Sequence, residues 1–162
     1  MSTRLAQPTD AERICEIYNQ GIADRTATFE TRLRTLSDVL AWFDGVHPMV
    51  VVEQGEIVVG FAATSTYRAR DCYVGIAEFS VYVERAARWH GFGREALGQL
   101  IVEAERANFW KLLSRIFVEN TASRRLMQSL GFREVGVYER HAQLDGVWRD
   151  IVIVERLLLN LD

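Results

Sequence analysis

The chain has 162 residues, of which 49% are hydrophobic and 25% are charged, a composition typical of an ordinary globular domain. Its net charge of −3 gives no general attraction to nucleic acid or anionic lipid, so we expect neither nucleic acid nor a membrane as a partner. No apolar run reaches the ~18 residues of a membrane span, and the N-terminus has no signal-peptide core. Cys15 and Cys72 have neither metal-ligand nor redox spacing, so we expect a cytoplasmic protein without a metal.

Short apolar patterns divide the chain into strands and helices, and no linker splits residues 1–162 into two domains. The predicted strands, in chain order, are residues 3–7, a hairpin over 49–67, 72–83, 111–118 and a hairpin over 133–158. The predicted helices are one that Asp10 caps, 36–43 with Thr35 or Ser37 as its cap, 91–107, and 120–132 with Asn120 as its cap. This order predicts an α/β (α+β) domain, a mixed and mostly antiparallel sheet with helices on both faces.

Two glycines, Gly91 and Gly93, stand where a predicted strand ends and a helix begins. A helix N-terminus offers unpaired N–H groups and a partial positive charge, and glycine lets an anion approach them closely. Arg88 would add a charge-assisted contact to such an anion. A tight turn that needs glycine for a positive φ explains the same residues, so spacing alone leaves both explanations open. The P-loop pattern is absent, and the loop lies too late in the chain for a dinucleotide-binding fingerprint.

The run from Val83 through Arg88 to Gly91 and Gly93 resembles the V-x-x-x-x-[QR]-x-x-G-x-[GA] motif of the GNAT acetyltransferase superfamily. The segments IYNQGIADRTATFET, AEFSVYV, ENTASRRLMQSLGF and DGVWRDIVIVERLL are similar to its phosphinothricin and arsinothricin N-acetyltransferase branch. The resemblance covers nearly the whole chain. It implies the GNAT fold, acetyl-CoA as co-substrate, and acetylation of the free amino group of an amino acid that carries a second acidic group, as in detoxification or antibiotic resistance.

The resemblance also implies which residues hold acetyl-CoA. The implied contacts are the backbone of Val81, Tyr82 and Val83 for the pantetheine arm, Arg88, Trp89, His90, Gly91, Phe92, Gly93 and Arg94 around the pyrophosphate, and Asn120. A buried strand explains Val81 and Val83 equally well, and a helix N-cap explains Asn120, which can serve both purposes.

Glu78 lies inside an apolar strand, where burial of a charge is costly, and a solvent-facing position or an ion pair is the alternative explanation. The matching glutamate of the family is the general base, often through a water molecule. The chemistry needs such a group, because an amine arrives mainly as ammonium and must lose a proton before it attacks a thioester. A partly desolvated carboxylate would be a better base.

Many GNAT enzymes have a tyrosine as general acid four residues before the glycine of the last helix, and some phosphinothricin acetyltransferases have histidine there. This chain has Met127, which cannot donate a proton. Tyr82 and His141 are unproven substitutes, and the thiolate can leave unprotonated or take a proton from water.

Arg68, Arg70 and Tyr73 match positions that hold the acidic group of the substrate in the branch, and arginine pairs bidentately with carboxylate or phosphinate. An ordinary solvated loop explains two arginines as well. Phe29 packs on the substrate or anchors a loop. In the family such sites lie near a dimer interface, so the resemblance implies a homodimer.

Two alternatives remain open. One is acetylation of a different amine, namely a protein N-terminus, a methionine-derived amino acid or a polyamine, the last disfavoured by Arg68 and Arg70. The other is a non-catalytic acyl-CoA-binding module, which Glu78 argues against and Met127 leaves open.

Overall fold

The protein is described by a computed structural model over residues 1–158. Its strands are β1 (Ser2–Leu5), β2 (Met49–Gln54), β3 (Ile57–Thr66), β4 (Ile76–Val83), β5 (Lys111–Phe117), β6 (Arg133–Leu144) and β7 (Val147–Leu157). Its α-helices are α1 (Ala11–Asp24), α2 (Leu36–Leu40), α3 (Phe92–Arg106) and α4 (Thr121–Ser129). Short 3-10 turns lie at Pro8–Asp10, Asp71–Tyr73 and Arg85–Ala87.

The strands form one sheet in the order β1-β2-β3-β4-β5-β7-β6. Every neighbouring pair is antiparallel except β4 and β5, which run parallel because the chain crosses over through α3. The predicted fold class, a mixed and mostly antiparallel sheet in an α/β domain, is therefore confirmed.

Helices cover both faces of the sheet, each over its own apolar cluster. On one face α3 and α4 pack against the inward residues of the central strands, where Phe79, Leu97 and Leu112 are buried. On the other face α1 and α2 bury Ile14 and Val39. The strands between them are apolar on both sides, as a doubly covered sheet requires. No helix in the part of the chain that the structure describes has the length and hydrophobicity to cross a membrane.

The predicted helix ends are mostly confirmed, with one correction. Thr35 accepts the Asp38 N–H and Asn120 accepts the Ser123 N–H, so both cap their helices as expected. The prediction that Asp10 caps α1 is wrong, because its carboxylate accepts the Gln7 N–H and two bonds from the Arg4 guanidinium instead. An ion pair and a local backbone donor occupy the oxygens that the first turn of α1 would have used.

Two predicted elements are shorter than expected. The helix predicted over residues 36–43 ends at Leu40. The strand predicted over residues 72–83 begins only at Ile76, because the Tyr73 and Val74 N–H groups bond back to Arg70 and Asp71 and close a 3-10 turn. That turn shapes the entry to β4, the strand that carries Glu78.

Candidate active site

The sheet opens in its middle, where β4 and β5 part. Their ladder ends at the Glu78–Leu113 pair, after which the Ser114 hydroxyl still donates to the Phe79 carbonyl at 2.9 Å. Farther along, the strands diverge and a cavity of about 360 Å³ lies between them. Its walls come from β4, β5, the loop before α3 and the start of α4, and they include Val81, Tyr82, Val83, Gly93, Arg94, Asn120 and Met127.

The open side of β4 presents backbone groups to this cleft. The Glu84 N–H bonds to Val59 of β3, and antiparallel neighbours bond at alternate residues, so Val83, Val81 and Phe79 point their polar groups the other way. The Phe79 and Val83 carbonyls accept bonds from Ser114 and Arg88. The N–H and carbonyl of Val81 are therefore left to pair with an extended, amide-containing ligand.

The loop before α3 turns sharply beside the cleft. Trp89 and Gly91 both have positive φ, 72° and 85°, and the first N–H of the helix ladder to find a partner is that of Glu95, which bonds to the Gly91 carbonyl. The N–H groups of Phe92, Gly93 and Arg94 precede it and form the unpaired first turn of α3. This cluster of donors faces the cleft as an anion site requires.

The two positions of the motif are glycine for different structural reasons. Gly91 is in the left-handed region, which a side chain rarely adopts, so the turn itself needs glycine. Gly93 has no such constraint, and a Cβ there would lie 3.5–3.8 Å from Leu126, Val83 and Val81. A larger side chain at Gly93 would therefore grow between the walls of the cleft.

Arg88 lines the cleft, and its guanidinium is paired with a carboxylate of α1. Its guanidinium lies 2.7 Å from the Asp24 carboxylate, and its Nε donates to the Val83 carbonyl at 3.2 Å. Arg85 bonds to the same carboxylate, and Arg85 and Arg88 together hold the pKa of Asp24 below its usual range. Arg88 thus ties the end of α1 to the end of β4.

The other loop residues contribute through the backbone or lie outside the cleft. Phe92 is buried in the core, so only its N–H reaches the cleft. Trp89 is 86% exposed at the rim. His90 places Nδ1 3.2 Å from the Ala87 carbonyl oxygen and does not line the cavity. Arg94 donates to the Ser129 hydroxyl at 2.6 Å and joins α3 to α4.

Glu78 lies at the point where β4 and β5 part. Its carboxylate accepts a bond of 3.0 Å from Arg115 on β5, and the Glu78 side chain is 28% exposed. Of the explanations considered for a carboxylate in this strand, the ion pair is the one observed. Arg115 was missed by the sequence reasoning, although it is the one charge between Leu113 and Phe117, the apolar residues of β5 that share its face.

Neither Tyr82 nor His141, the two residues considered as a general acid, lies in surroundings that suit that role. Tyr82 packs in an aromatic cluster 5.0 Å from the ring of Tyr18 and 5.6 Å from that of Phe61, and burial raises the pKa of Tyr82 far above its usual value. His141 is exposed on β6 beside Tyr138. Met127 is buried on the cleft wall, at the place where a donor was expected.

The predicted substrate residues lie on two sides of Glu78. Phe29 is half-buried, 4.8 Å from the ring of Phe117, and anchors the loop after α1 over β5. Arg68 stacks over Tyr67 at 5.2 Å, and Tyr67 meets the ring of Tyr73 edge-on at 5.6 Å. Arg70 is exposed at the entry to β4, and its guanidinium has no hydrogen bond or ion pair within residues 1–158.

The comparisons with known proteins agree with this geometry. The acetyltransferase (GNAT) domain family matches residues 3–133. The L-methionine sulfoximine/L-methionine sulfone acetyltransferase of Salmonella typhimurium is 32% identical, over 100% of this chain and 95% of its own. The GNAT superfamily phosphinothricin acetyltransferase of Sinorhizobium meliloti, solved in complex with acetyl-CoA, superposes with a TM-score of 0.90 at 26% identity, covering 97% of this chain and 88% of that one.

A third relative has a different substrate in its name. The structure of the ribosomal-protein-alanine N-acetyltransferase of Brucella melitensis has a TM-score of 0.93 and 30% identity, and covers 98% of this chain and 100% of that chain. Together with these relatives, the parted parallel strand pair beside a glycine turn and a helix N-terminus identifies an acetyl-CoA-dependent acetyltransferase. The chain belongs to the GNAT acetyltransferase family, and the expected enzyme class and co-substrate are confirmed.

Proposed function

We propose that this enzyme acetylates the free amino group of a small acidic amino acid of the phosphinothricin, arsinothricin or methionine sulfoximine type, as a detoxification or resistance enzyme. The observation that carries the proposal is the position of Glu78, which forms the last pair of the β4–β5 ladder, directly before Phe79 and Ser80 of the cavity wall, and bonds to the exposed Arg115. The names of the relatives from Salmonella typhimurium and Sinorhizobium meliloti support the same substrate class.

In the proposed binding mode the pantetheine arm pairs with the Val81 backbone, and the pyrophosphate lies on the N–H groups of Phe92, Gly93 and Arg94. Asn120 lines the cleft while its carboxamide oxygen caps α4. Arg88 lines the cleft while it holds Asp24 and the Val83 carbonyl, and it remains a predicted contact of the pyrophosphate. Trp89 and His90 remain predicted contacts at the rim.

The proposed reaction starts with transfer of a proton from the substrate ammonium to Glu78, directly or through one water. The free amine attacks the thioester carbon to form a tetrahedral intermediate, whose nitrogen gives up its extra proton to water. The C–S bond then breaks, the amide forms, and coenzyme A leaves as thiolate and takes a proton from water. No protein acid is required, because a thiolate is a tolerable leaving group. Arg68, Arg70 and Tyr73 hold the second acidic group of the substrate, and Phe29 packs on its apolar part.

The same proposal includes three broader points. Residues 1–162 act as one domain, the enzyme works in the cytoplasm, and it forms a homodimer. Exposed Tyr138 and Trp148, on the last hairpin of the sheet, are consistent with a self-association surface. Light scattering over a concentration series measures the oligomeric state, and a constant monomer mass contradicts the dimer.

A panel of amines with acetyl-CoA tests the substrate class, with release of coenzyme A as the readout. The panel contains phosphinothricin, arsinothricin, methionine sulfoximine, methionine, spermidine and a peptide that begins with alanine. The proposal expects the highest kcat/KM for the acidic amino acids. Preference for the peptide, the activity named for the Brucella melitensis relative, or for spermidine overturns the proposal, and no turnover with any amine favours a non-catalytic acyl-CoA-binding module.

A further inference from the structure

We propose that Arg115 binds the α-carboxylate of the substrate while Glu78 receives its α-ammonium, so that the two residues together select free α-amino acids. The inference rests on the proposed function, which it deepens by adding a specificity-determining residue. The observation behind it is the ion pair between the Arg115 Nη2 and the Glu78 Oε1, 3.0 Å apart across the point where the strands part.

The position of Arg115 on β5 makes it available to a ligand. The β4–β5 ladder ends at Leu113, so Arg115 is the first residue on its face of β5 that no longer lies beside β4 in register. Its side chain is 41% exposed, and Glu78 is its only ion-pair partner within residues 1–158. Arg115 shares its face of β5 with Phe117, against which Phe29 packs.

The charges of this pair match those of an α-amino acid in reverse. The amine nitrogen and the nearer carboxylate oxygen of an α-amino acid are on neighbouring carbons, about 3 Å apart. The Glu78 and Arg115 atoms have the same separation with the opposite order of charge. A zwitterion laid beside them forms two new ion pairs at once, and the guanidinium fork suits a carboxylate in a bidentate geometry.

The match predicts which amines are rejected. A polyamine or a peptide N-terminus brings an ammonium to Glu78 but has no α-carboxylate for Arg115. Arg115 must then share Glu78 with the incoming ammonium, and both cations compete for one carboxylate. A free amino acid supplies the missing anion, so each of the four charges has a partner. Arg68, which stacks on Tyr67, and the exposed Arg70 stand at the entry to β4 for the second acidic group.

The test compares two substrates that differ only in the α-carboxylate. Phosphinothricin and its decarboxylated analogue, 3-aminopropyl(methyl)phosphinate, share the amine and the phosphinate. We expect Arg115→Ala to lower the ratio of their kcat/KM values by about 10- to 100-fold, the range for loss of a charge-assisted hydrogen bond. The loss lies in the KM for phosphinothricin, whereas the KM for acetyl-CoA does not change. The KM for the analogue does not rise, and it falls if the competition of Arg115 for Glu78 is strong.

Arg106→Ala is the matched control, because Arg106 is also an exposed arginine paired with one glutamate, Glu103, but lies at the far end of α3. It leaves the ratio unchanged. Arg115→Lys keeps a point charge without the planar fork and retains part of the preference, which keeps the proposal testable if the alanine variant has a lowered melting temperature.

The outcomes separate the two proposals. A wild-type enzyme that acetylates phosphinothricin and loses no discrimination on Arg115→Ala overturns the role of Arg115 alone. An equal loss with both substrates also overturns it, because Arg115 would then act only by positioning Glu78. A wild-type enzyme that acetylates neither phosphinothricin nor the other acidic amino acids of the panel overturns both proposals.

Discussion

At the scale of single residues, the candidate chemistry is concentrated on Glu78, because the cleft wall supplies no proton donor where the family often has one. Met127 fills that position with an apolar side chain, and Tyr82 holds its proton tightly in the aromatic cluster. A mechanism that needs only a base and a thiolate leaving group is consistent with both observations.

Glu78→Gln is expected to lower kcat by at least about 100-fold near neutral pH, since general-base catalysis contributes about 10²- to 10⁴-fold. The loss shrinks as pH rises, because more of the substrate arrives as free amine. The pH profile of kcat for both enzymes measures this. Glu16→Gln, which removes a carboxylate from the exposed Arg13–Glu16 pair on α1, is the control and keeps normal turnover. A Glu78→Gln enzyme with near-normal kcat at pH 7 rules the base out.

Arg70→Ala is expected to raise the KM for acidic amino acids by about 10- to 100-fold, because charge-assisted hydrogen bonds contribute about 1.5–3 kcal/mol each. Arg70 has no partner of its own to lose within residues 1–158, so its removal leaves no buried charge behind. Arg68→Ala has a weaker effect. Steady-state kinetics with both substrates varied measure the KM values, and that for acetyl-CoA stays constant. Normal amino-acid KM in both variants contradicts the assigned role.

At the scale of elements, the first turn of α3 contains a glycine whose replacement is expected to impair ligand binding and to leave the fold intact. Gly93 and Gly98 lie in the same helix, but a Cβ at Gly93 points toward Val81, Val83 and Leu126, whereas a Cβ at Gly98 meets nothing within 4 Å. Gly93→Leu is expected to weaken coenzyme A binding at least tenfold by filling the cleft, a loss of about 1.4 kcal/mol. Calorimetric titration with coenzyme A measures it. Unchanged affinity in a folded Gly93→Leu protein, with Gly98→Leu as control, excludes the site.

Helix α1 depends on a glycine for a packing reason that its sequence does not show. A Cβ at Gly21 would come within 2.6 Å of the half-buried ring of Tyr82. Gly21→Ala is expected to destabilise the protein by about 1–3 kcal/mol from overpacking, less the ~1 kcal/mol gained in helix propensity. Gly98→Ala, where a Cβ meets nothing within 4 Å, is expected to show only the stabilisation of ~1 kcal/mol from helix propensity. Urea unfolding of both variants measures the difference, and equal stabilities contradict the close contact.

At the scale of the whole molecule, arginine–carboxylate pairs join different elements of the fold. Arg4 holds Asp10, Arg85 holds Asp24, and Arg124 holds Glu134 through two bonds of 2.8 and 2.9 Å. In each case the arginine keeps the pKa of the carboxyl below its usual value. These pairs tie β1 to the start of α1, the end of α1 to the loop after β4, and α4 to β6.

The melting temperature is therefore expected to be nearly constant from pH 7 to about pH 5 and to fall below about pH 4.5. A lowered folded pKa means that the unfolded chain binds protons first as pH falls, so the stabilisation is present above the ordinary pKa values and is lost through the folded ones. Thermal melts from pH 7 to pH 2.5 measure this. Asp10→Asn is expected to make the fall of the melting temperature at acid pH less steep. A melting temperature that does not fall by pH 3 contradicts the expectation.

The sequence by itself determined the elements and the fold class, and it predicted the outline of the cofactor site. Strand alternation, helix caps such as Thr35 and Asn120, and the glycines before α3 are set by neighbours within a few residues, so a local pattern is enough to recognise them. The resemblance of the segments GIAEFSVYV and ENTASRRLMQSLGF to the family pointed to Glu78 and to the absence of an acid at Met127. The roles assigned to the substrate residues remain predictions.

Only the tertiary structure decided what those residues face. The opening between β4 and β5 depends on two strands whose ladder stops at Glu78 and Leu113, which are brought together by a crossover that no local pattern describes. Arg88 meets Asp24 across more than 60 residues, which ties α1 to the end of β4, and Arg115 meets Glu78 across 37 residues. Long-range pairing sets which charges are free and which are matched, because Coulomb interactions depend on distance in space and not along the chain.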